Sequence, residues 1–139
     1  MKPVLLDTGV IVALLDPTDG FHNACVEAIG DVTGPLVTCE TVIAESCHLL
    51  RSVRGARESI LNSVASREFT VPIGLDQASR DVAGIMARYR DSRIDLADAF
   101  LIHLANEFQT GQILTIDSDF RFYRWGRNSA FHMLVPLHR

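Results

Sequence analysis

The stretch Val4-Leu5-Leu6-Asp7-Thr8-Gly9 is a short apolar run that ends on a carboxylate. The same order returns far downstream in Ile113-Leu114-Thr115-Ile116-Asp117. Short apolar runs bounded by turn-forming residues are typical of buried strands. In an open parallel sheet, ligands bind beyond the carboxyl ends of the strands. The two stretches therefore predict two buried strands that could present Asp7 and Asp117 to one crevice.

Helical and strand-like segments alternate between these two stretches. Strand-like runs cover residues 4–6, 36–38, 69–73 and 112–116, and helical patterns cover residues 22–29, 41–53, 58–65, 76–90 and 95–108. The apolar segment 10–15 fits either structure. Alternation of this kind favours a parallel sheet covered by helices on both faces. We expect one α/β domain over residues 1–139, with a central parallel β-sheet flanked by helices.

The length and composition suit one ordinary domain with its own core. A chain of 139 residues can bury most of an apolar core without disulfides. Its three cysteines lie among apolar residues at spacings wider than Cys-x-x-Cys, so we expect reduced core thiols. Its apolar runs are shorter than the roughly 18 residues that span a bilayer, and its first residues lack a signal-peptide pattern. We therefore expect a cytoplasmic protein with no membrane partner.

The charge balance is compatible with a nucleic-acid partner, although the formal net charge is −4. If four of the 17 acidic residues bound a cation together, the remaining 13 would balance the 13 basic residues. All of the basic residues except Lys2 are arginine. Arginine makes bidentate contacts with phosphate and stacks on bases, whereas lysine offers a point charge. The composition therefore permits RNA or DNA as a partner without establishing it.

Two further acids lie in apolar helical segments. Glu45 follows Val42-Ile43-Ala44, and Asp98 precedes Ala99-Phe100-Leu101-Ile102. Acidic side chains are rarely buried unless they are paired or bound to a metal. Four carboxylates at one crevice would repel each other, so raised pKa values or a hard cation must relieve the repulsion. Oxygen ligands favour Mg²⁺ or Mn²⁺, and one or two such ions could support phosphodiester hydrolysis.

The order of these motifs resembles that of a known family. A hydrophobic strand ending in Asp7-Thr8 is followed by a helical Glu45, then by Asp95-Leu96-Ala97-Asp98-Ala99-Phe100-Leu101-Ile102, and last by Leu114-Thr115-Ile116-Asp117-Ser118-Asp119-Phe120. This pattern spans nearly the whole chain and is similar to that of the PIN-domain ribonucleases. Within that family it looks most like the VapC-type toxins of bacterial and archaeal toxin–antitoxin pairs.

The resemblance implies both a function and a set of site residues. It implies a metal-dependent endoribonuclease, the toxin of a type II toxin–antitoxin pair, which forms a homodimer and is inhibited by a cognate antitoxin protein. The catalytic and metal-binding acids that it implies are Asp7, Glu45, Asp98 and Asp117, with Asp119 near a second metal position. Thr8 and Thr115 match the hydroxyl positions that the family places beside the acids. The resemblance leaves the role of Asp95 open.

Each acid also has an ordinary structural explanation. Asp7 and Asp117 could cap the helices that follow them, and Asp98 could pair with Arg93. The chain would then be a non-catalytic module that binds RNA or protein. A further alternative is a retroviral-type aspartic protease, whose active-site tripeptide resembles Asp7-Thr8-Gly9. That class requires an almost entirely β chain and leaves the downstream acids unexplained.

Two arginine-rich segments are candidates for RNA binding. Arg51 and Arg54 lie in the first segment, and in the second Arg121 and Arg124 interleave with aromatic residues that include Trp125. Unstacked RNA bases stack on aromatic side chains while guanidinium groups follow the phosphates. Tryptophan, tyrosine and arginine also anchor protein interfaces. Both interpretations stay open for these segments.

Overall fold

The computed structural model describes residues 1–137, so the last two residues of the expected domain lie outside the description. The strands are β1 (Val4–Leu6), β2 (Leu36–Val37), β3 (Phe69–Thr70), β4 (Gln112–Leu114), β5 (Arg124–Trp125), β6 (Ser129–Ala130) and β7 (His132–Met133). The helices are α1 (Thr8–Leu15), α2 (His22–Gly30), α3 (Glu40–Leu49), α4 (Ala56–Ala65), α5 (Leu75–Arg88) and α6 (Leu96–Phe108), and a 3₁₀ helix covers Ser118–Arg121. Within this described part, no helix has the length and apolar character needed to cross a membrane.

Five of the strands form one parallel sheet in the order β3-β2-β1-β4-β7. The strand order runs in opposite directions on the two sides of β1, so a crevice forms between the carboxyl ends of β1 and β4. Leu6 is in register with Leu114 in this pair, and the Asp7 N–H donates to the Leu114 carbonyl at 3.0 Å. The residues that follow β1 and β4 therefore leave the sheet side by side.

The core surrounds this sheet. All three residues of β1 are buried, as expected for a central strand that is covered on both faces. Helix α6 contributes an unbroken run of buried residues, 97–105, and packs against α5 and β1. The predicted α/β class with a central parallel sheet is confirmed. The aspartic-protease alternative is wrong, because a helix-rich chain with a parallel sheet is not the almost entirely β chain which that class requires.

Helix α3 is shorter than the predicted helix over residues 41–53. It ends at Leu49 and is followed by turns through Gly55, whose φ is +79°. Glycine adopts this left-handed conformation at little cost, whereas other residues are strained there. The Arg51 guanidinium donates to the His48 carbonyl at 2.8 Å and so satisfies an acceptor in the last turn. Arg51 therefore belongs to the turn and not to the helix.

Several strands are also shorter than predicted. β3 pairs only through Phe69–Thr70, and Pro72 has no N–H with which to extend the pairing. β4 ends at Leu114, so Thr115 lies beyond the paired part of the sheet. The sequence pattern does not predict the antiparallel hairpin of β5 and β6, or β7, because two-residue strands are too short to show alternation.

The three cysteines are free, as predicted. Cys25 and Cys39 are buried, and Cys47 is half-buried. Burial raises the pKa of both Cys25 and Cys39 to about 11. These two thiols therefore stay protonated at neutral pH, which suits packing rather than metal binding or nucleophilic chemistry.

Candidate active site

Three aspartates meet at the crevice between β1 and β4. Asp7, Asp98 and Asp117 each offer a carboxylate oxygen, and these oxygens all lie within 4.8 Å of one another. Asp7 is 8% exposed and Asp98 is 7% exposed, so two of the three are buried. The crevice has a volume of about 390 Å³, and its wall also includes Glu45 and Asp95. Carboxylates contributed by two strand ends and one helix thus converge at this crevice.

Asp7 is held by two hydrogen bonds. Its Oδ1 accepts from the Thr8 N–H at 2.8 Å, and its Oδ2 accepts from the Thr115 hydroxyl at 2.7 Å. The first bond makes Asp7 the N-cap of α1. The Thr8 hydroxyl is buried beside it and has no hydrogen-bond partner among residues 1–137. That hydroxyl is a free polar group in the wall of the crevice.

Asp98 is held in the first turn of α6. Its N–H donates to Asp95 Oδ1 at 2.9 Å, and its Oδ2 accepts from the Asp95 N–H at 3.4 Å, which is a capping box. The same Oδ2 accepts from the Tyr123 hydroxyl at 3.3 Å. Asp95 therefore has a structural role as the N-cap, and Tyr123 reaches the site from a segment 25 residues downstream.

Asp117 is tied both to Thr115 and to the 3₁₀ helix. Its N–H donates to Thr115 Oγ1 at 3.0 Å, and its Oδ1 accepts from the Asp119 N–H at 2.9 Å. Asp7 and Asp117 are thus helix caps, as the ordinary explanation predicts. Capping does not by itself account for the convergence of three carboxylates, because each cap bond is satisfied within its own segment.

The pKa of each of the three aspartates is raised, and burial is the largest cause in each case. Burial raises the pKa of Asp7 to about 6, although the hydrogen bonds from Thr115 and Thr8 oppose the increase. Burial also raises the pKa of Asp98 well above its usual range, and the negative charges of Asp95 and Asp7 add to the effect. Burial raises the pKa of Asp117 as well. Among the described residues no lysine or arginine side chain lies within 4.0 Å of these carboxylates, so no basic side chain forms an ion pair with the site.

Glu45 and Asp119 take different places from the three aspartates. Glu45 is exposed in the wall of the crevice and is outside the set of oxygens that lie within 4.8 Å. Asp119 is exposed and lines a separate pocket together with Tyr123. The geometry therefore separates a converging set of three acids from two peripheral ones.

The predicted RNA-binding residues lie outside the wall of the crevice. The Arg124 guanidinium donates to the carbonyls of Arg121, Phe122 and Tyr123, and the Trp125 indole N–H donates to the Ala130 carbonyl at 3.2 Å. A side chain at Gly111 would collide with that indole. Arg124 and Trp125 therefore have structural contacts, whereas Arg54 and Arg121 are exposed.

Sequence reasoning missed Tyr123 as a residue of the site. The aromatic segment that contains it was a signal, but the sequence alone does not show that its hydroxyl reaches Asp98. Tyr123 is buried, and its ring packs edge-on against Tyr89 and Phe120. These ring contacts direct its hydroxyl towards the acids.

The chain matches a known protein family over most of its length. The family model of the PIN domain matches residues 4–126, a range that includes every acidic residue of the site described above. The chain belongs to the PIN-domain family. The family resemblance that the sequence motifs predicted is thereby confirmed.

Two known proteins are similar to this PIN domain, one in sequence and one in structure. It is 30% identical over 120 residues to Ribonuclease VapC26 of Mycobacterium tuberculosis strain H37Rv, a match that covers 82% of this chain and 86% of that protein. Its structure is similar to the crystal structure of Mycobacterium tuberculosis VapC20, a toxin that cleaves the sarcin–ricin loop. The TM-score is 0.75 at 17% identity, and the match covers 84% of this chain and 91% of that one. The second likeness supports the fold alone.

Proposed function

We propose that this protein is a metal-dependent endoribonuclease that hydrolyses RNA phosphodiester bonds as the toxin of a type II toxin–antitoxin pair. The observation that carries the proposal is the convergence of Asp7, Asp98 and Asp117 within 4.8 Å. Membership of the PIN-domain family and the likeness to Ribonuclease VapC26 support the reaction class. The cation would be Mg²⁺ or Mn²⁺, with one or two ions bound.

The residues fit a hard divalent cation. All three converging side chains offer carboxylate oxygens, which Mg²⁺ and Mn²⁺ prefer. Burial first, and then the neighbouring carboxylates, raise the pKa of Asp7 and Asp98, so the protein alone disfavours their ionised forms and a bound cation would stabilise them. The unpartnered Thr8 hydroxyl adds a neutral oxygen beside them. When bound, a divalent cation supplies positive charge that acidifies water and offsets the charge developing on the phosphate.

The surrounding residues hold the carboxylates in place. The Thr115 hydroxyl and the Thr8 N–H fix both oxygens of Asp7, so this carboxylate cannot rotate away from the crevice. The Asp95 N–H and the Tyr123 hydroxyl both donate to Asp98 Oδ2, so they restrain that oxygen. Hydrogen bonds of this kind orient metal-binding carboxylates, and their loss commonly lowers metal affinity or activity by about 10- to 100-fold.

Glu45 is the candidate for orienting the attacking water. It lies in the wall of the crevice but outside the set of three converging aspartates, and its side chain is exposed. A carboxylate in that position can accept a hydrogen bond from water and take its proton as the water attacks phosphorus. Asp119 lies outside the set, although its N–H donates to Asp117 Oδ1, and it lines the neighbouring pocket with Tyr123.

The proposal includes two protein partners. A cognate antitoxin would insert a segment that covers the acidic crevice, whose mouth carries the partly exposed apolar residues Val12 and Leu49. A basic side chain on that segment would pair with the aspartates. The second partner is another copy of this chain, in a homodimer. Both partners follow from the likeness to VapC-type proteins and are tested by copurification and sedimentation.

A non-catalytic binding module is the second candidate. The N-cap contacts of Asp7 and Asp117 favour it, because they give these acids a role without chemistry. It does not explain why the Asp98 carboxylate is buried against them at the same crevice. A binding module would bind RNA equally well with and without a chelator.

The test is cleavage of a structured RNA pool by purified wild type and Asp98→Asn protein, each with Mn²⁺, with Mg²⁺ and with excess EDTA. Asp31→Asn is a matched control, because Asp31 is an exposed aspartate that lines another pocket and does not line the acidic crevice. We expect discrete fragments from the wild type and the control with metal only. Cleavage by folded Asp98→Asn protein, or cleavage that survives EDTA, would contradict the proposal. A DNA pool of matched sequence tests the sugar preference.

A further inference from the structure

A second pocket of about 200 Å³ lies beside the acidic crevice. We call it the Phe122 pocket, and its lining residues are Tyr89, Ser92, Arg93, Asp119, Phe122 and Tyr123. Three of these residues are aromatic, and the others offer a guanidinium, a carboxylate and a hydroxyl. The pocket therefore combines flat apolar surfaces with both hydrogen-bond donors and acceptors.

Two residues of the Phe122 pocket are hydrogen-bonded to residues of the acidic crevice. The Tyr123 hydroxyl donates to Asp98 Oδ2 at 3.3 Å, and the Asp119 N–H donates to Asp117 Oδ1 at 2.9 Å. A group bound in this pocket would therefore contact residues that are themselves hydrogen-bonded to the carboxylates proposed to act on a phosphate. An RNA strand that placed a phosphate at the acids would carry a neighbouring base towards this pocket, because the residues of the two sites are directly hydrogen-bonded.

Phe122 is exposed, yet its backbone is firmly held. Its side chain is 74% exposed, which is unusual for a large aromatic residue. Its N–H donates to the Asp119 carbonyl at 2.9 Å, and its own carbonyl accepts from the Arg124 guanidinium at 3.3 Å. The next residue, Tyr123, is buried in ring contacts. The chain therefore presents the Phe122 ring to solvent from a fixed backbone.

We propose that the Phe122 pocket is a base-binding subsite, in which an unstacked base next to the scissile phosphate stacks on Phe122. The inference rests on the proposed ribonuclease function. Single-stranded RNA is recognised by aromatic side chains that stack on splayed bases while polar groups bond the base edges. Arg93 supplies donors and Asp119 supplies acceptors for those edges. The subsite would make Phe122 a residue that positions the RNA and sets the cleavage site.

An apolar protein segment is the competing occupant, and the charges argue against it. A protein anchor would have to bury Arg93 and Asp119, which form no ion pair with each other among the described residues. Leaving such charges unpaired in an interface is costly. A base edge instead offers donors and acceptors to both and leaves the charges partly hydrated.

The test compares wild type, Phe122→Ala and Phe122→Trp on an RNA whose cleavage site in the wild-type reaction has been mapped. Leu61→Ala is the matched control, because Leu61 is a 56% exposed apolar residue on α4. Phe122→Ala should lose about 5- to 150-fold in kcat/KM, mainly through KM, which is the range for one stacked base. Phe122→Trp should restore most of the loss, and Leu61→Ala should match the wild type.

A second arm removes the base instead of the ring. An abasic nucleotide is placed in turn on each side of the cleavage site. At one of the two positions, the abasic nucleotide should lower kcat/KM of the wild type by as much as Phe122→Ala lowers it with the intact RNA. The same abasic nucleotide should lower kcat/KM of the Phe122→Ala protein very little further. Equal losses in both proteins at both positions would overturn the subsite. Full activity of Phe122→Ala protein together with a changed sedimentation coefficient would reassign Phe122 to a protein interface.

Binding separates this inference from the proposed function. The non-cleaving Asp98→Asn protein, with and without Phe122→Ala, is titrated into a labelled single-stranded RNA and into its abasic counterpart. A base-dependent loss on removing Phe122 would support the subsite even if the wild type cleaved no RNA. Equal binding of both RNAs by both proteins would overturn the subsite even if the wild type were a ribonuclease.

Discussion

The Thr115 hydroxyl donates to Asp7 Oδ2 at 2.7 Å and accepts from the Asp117 N–H at 3.0 Å. Thr115 follows β4 and Asp7 follows β1, and the two residues are 108 positions apart in the sequence. One buried hydroxyl therefore joins the carboxylate after one strand to the backbone after its neighbour. This contact sets the spacing of two of the three converging acids.

Thr115→Val should weaken metal binding by about 10- to 100-fold, the range for loss of a group that orients a ligand. The hydrogen bond from Thr115 lowers the pKa of Asp7, so its loss should raise that pKa further above its value of about 6. The pH at which Mn²⁺ binding reaches half its maximum should therefore move upwards. Isothermal titration of the variant and the wild type at several pH values measures both effects.

Thr70→Val is the matched control for this prediction. Thr70 also lies at a strand end, and its hydroxyl donates to the Leu36 carbonyl at 2.9 Å, away from the acids. Its replacement should lower the free energy of unfolding by about 1 kcal/mol and leave the pH profile of metal binding unchanged. Equal pH shifts in the two variants would show that Thr115 acts only through general stability.

Without metal, the free energy of unfolding should fall as the pH rises from about 4 to about 6. The pKa of Asp7 is 3.8 before folding and about 6 in the folded chain, so the folded state holds the proton more tightly. The stability from this group is complete below about pH 4 and is lost as pH rises through the folded pKa. The full loss is about 3 kcal/mol. Asp98, whose pKa is also raised, acts in the same direction.

Denaturant unfolding in EDTA from pH 4 to pH 8 measures this loss. Asp7→Asn protein should show a smaller decrease and should be more stable than the wild type at pH 8, while it loses ribonuclease activity. Asp31→Asn protein, altered at an exposed site, should follow the wild type. Parallel pH curves for wild type and Asp7→Asn protein would contradict the account of Asp7.

The sequence best predicts those site residues whose positions depend on a single strand or helix. The runs ending at Asp7 and Asp117 predict their place at the carboxyl edge of the sheet, because a parallel sheet brings neighbouring strand ends together. Asp98 is predicted from its place in an apolar helix. The separation of Glu45 and Asp119 from these three depends on tertiary packing, which no local pattern contains.

Other parts of the fold cannot be predicted from the sequence, because they depend on a backbone conformation or on contacts between distant segments. The end of α3 depends on a left-handed turn at Gly55, and a glycine inside a helical pattern does not reveal its φ. The hairpin of β5 and β6 is stabilised by a tryptophan that packs against Gly111, a contact between distant segments. The same contact gives Trp125 a structural role, while its part in RNA binding stays a prediction.

Arg124 and Arg121 should behave differently, although both were candidates for RNA binding. The Arg124 guanidinium donates to three backbone carbonyls, whereas Arg121 is exposed and contributes its carbonyl to that set. Arg124→Ala should lower the free energy of unfolding by about 1–3 kcal/mol, because these carbonyls lose a charged donor. Arg121→Ala should leave stability unchanged and reduce the salt dependence of RNA binding, as loss of one phosphate contact would. Thermal unfolding and binding titrations at two salt concentrations separate the roles. A stable Arg124→Ala protein with a reduced salt slope would instead make Arg124 an RNA contact.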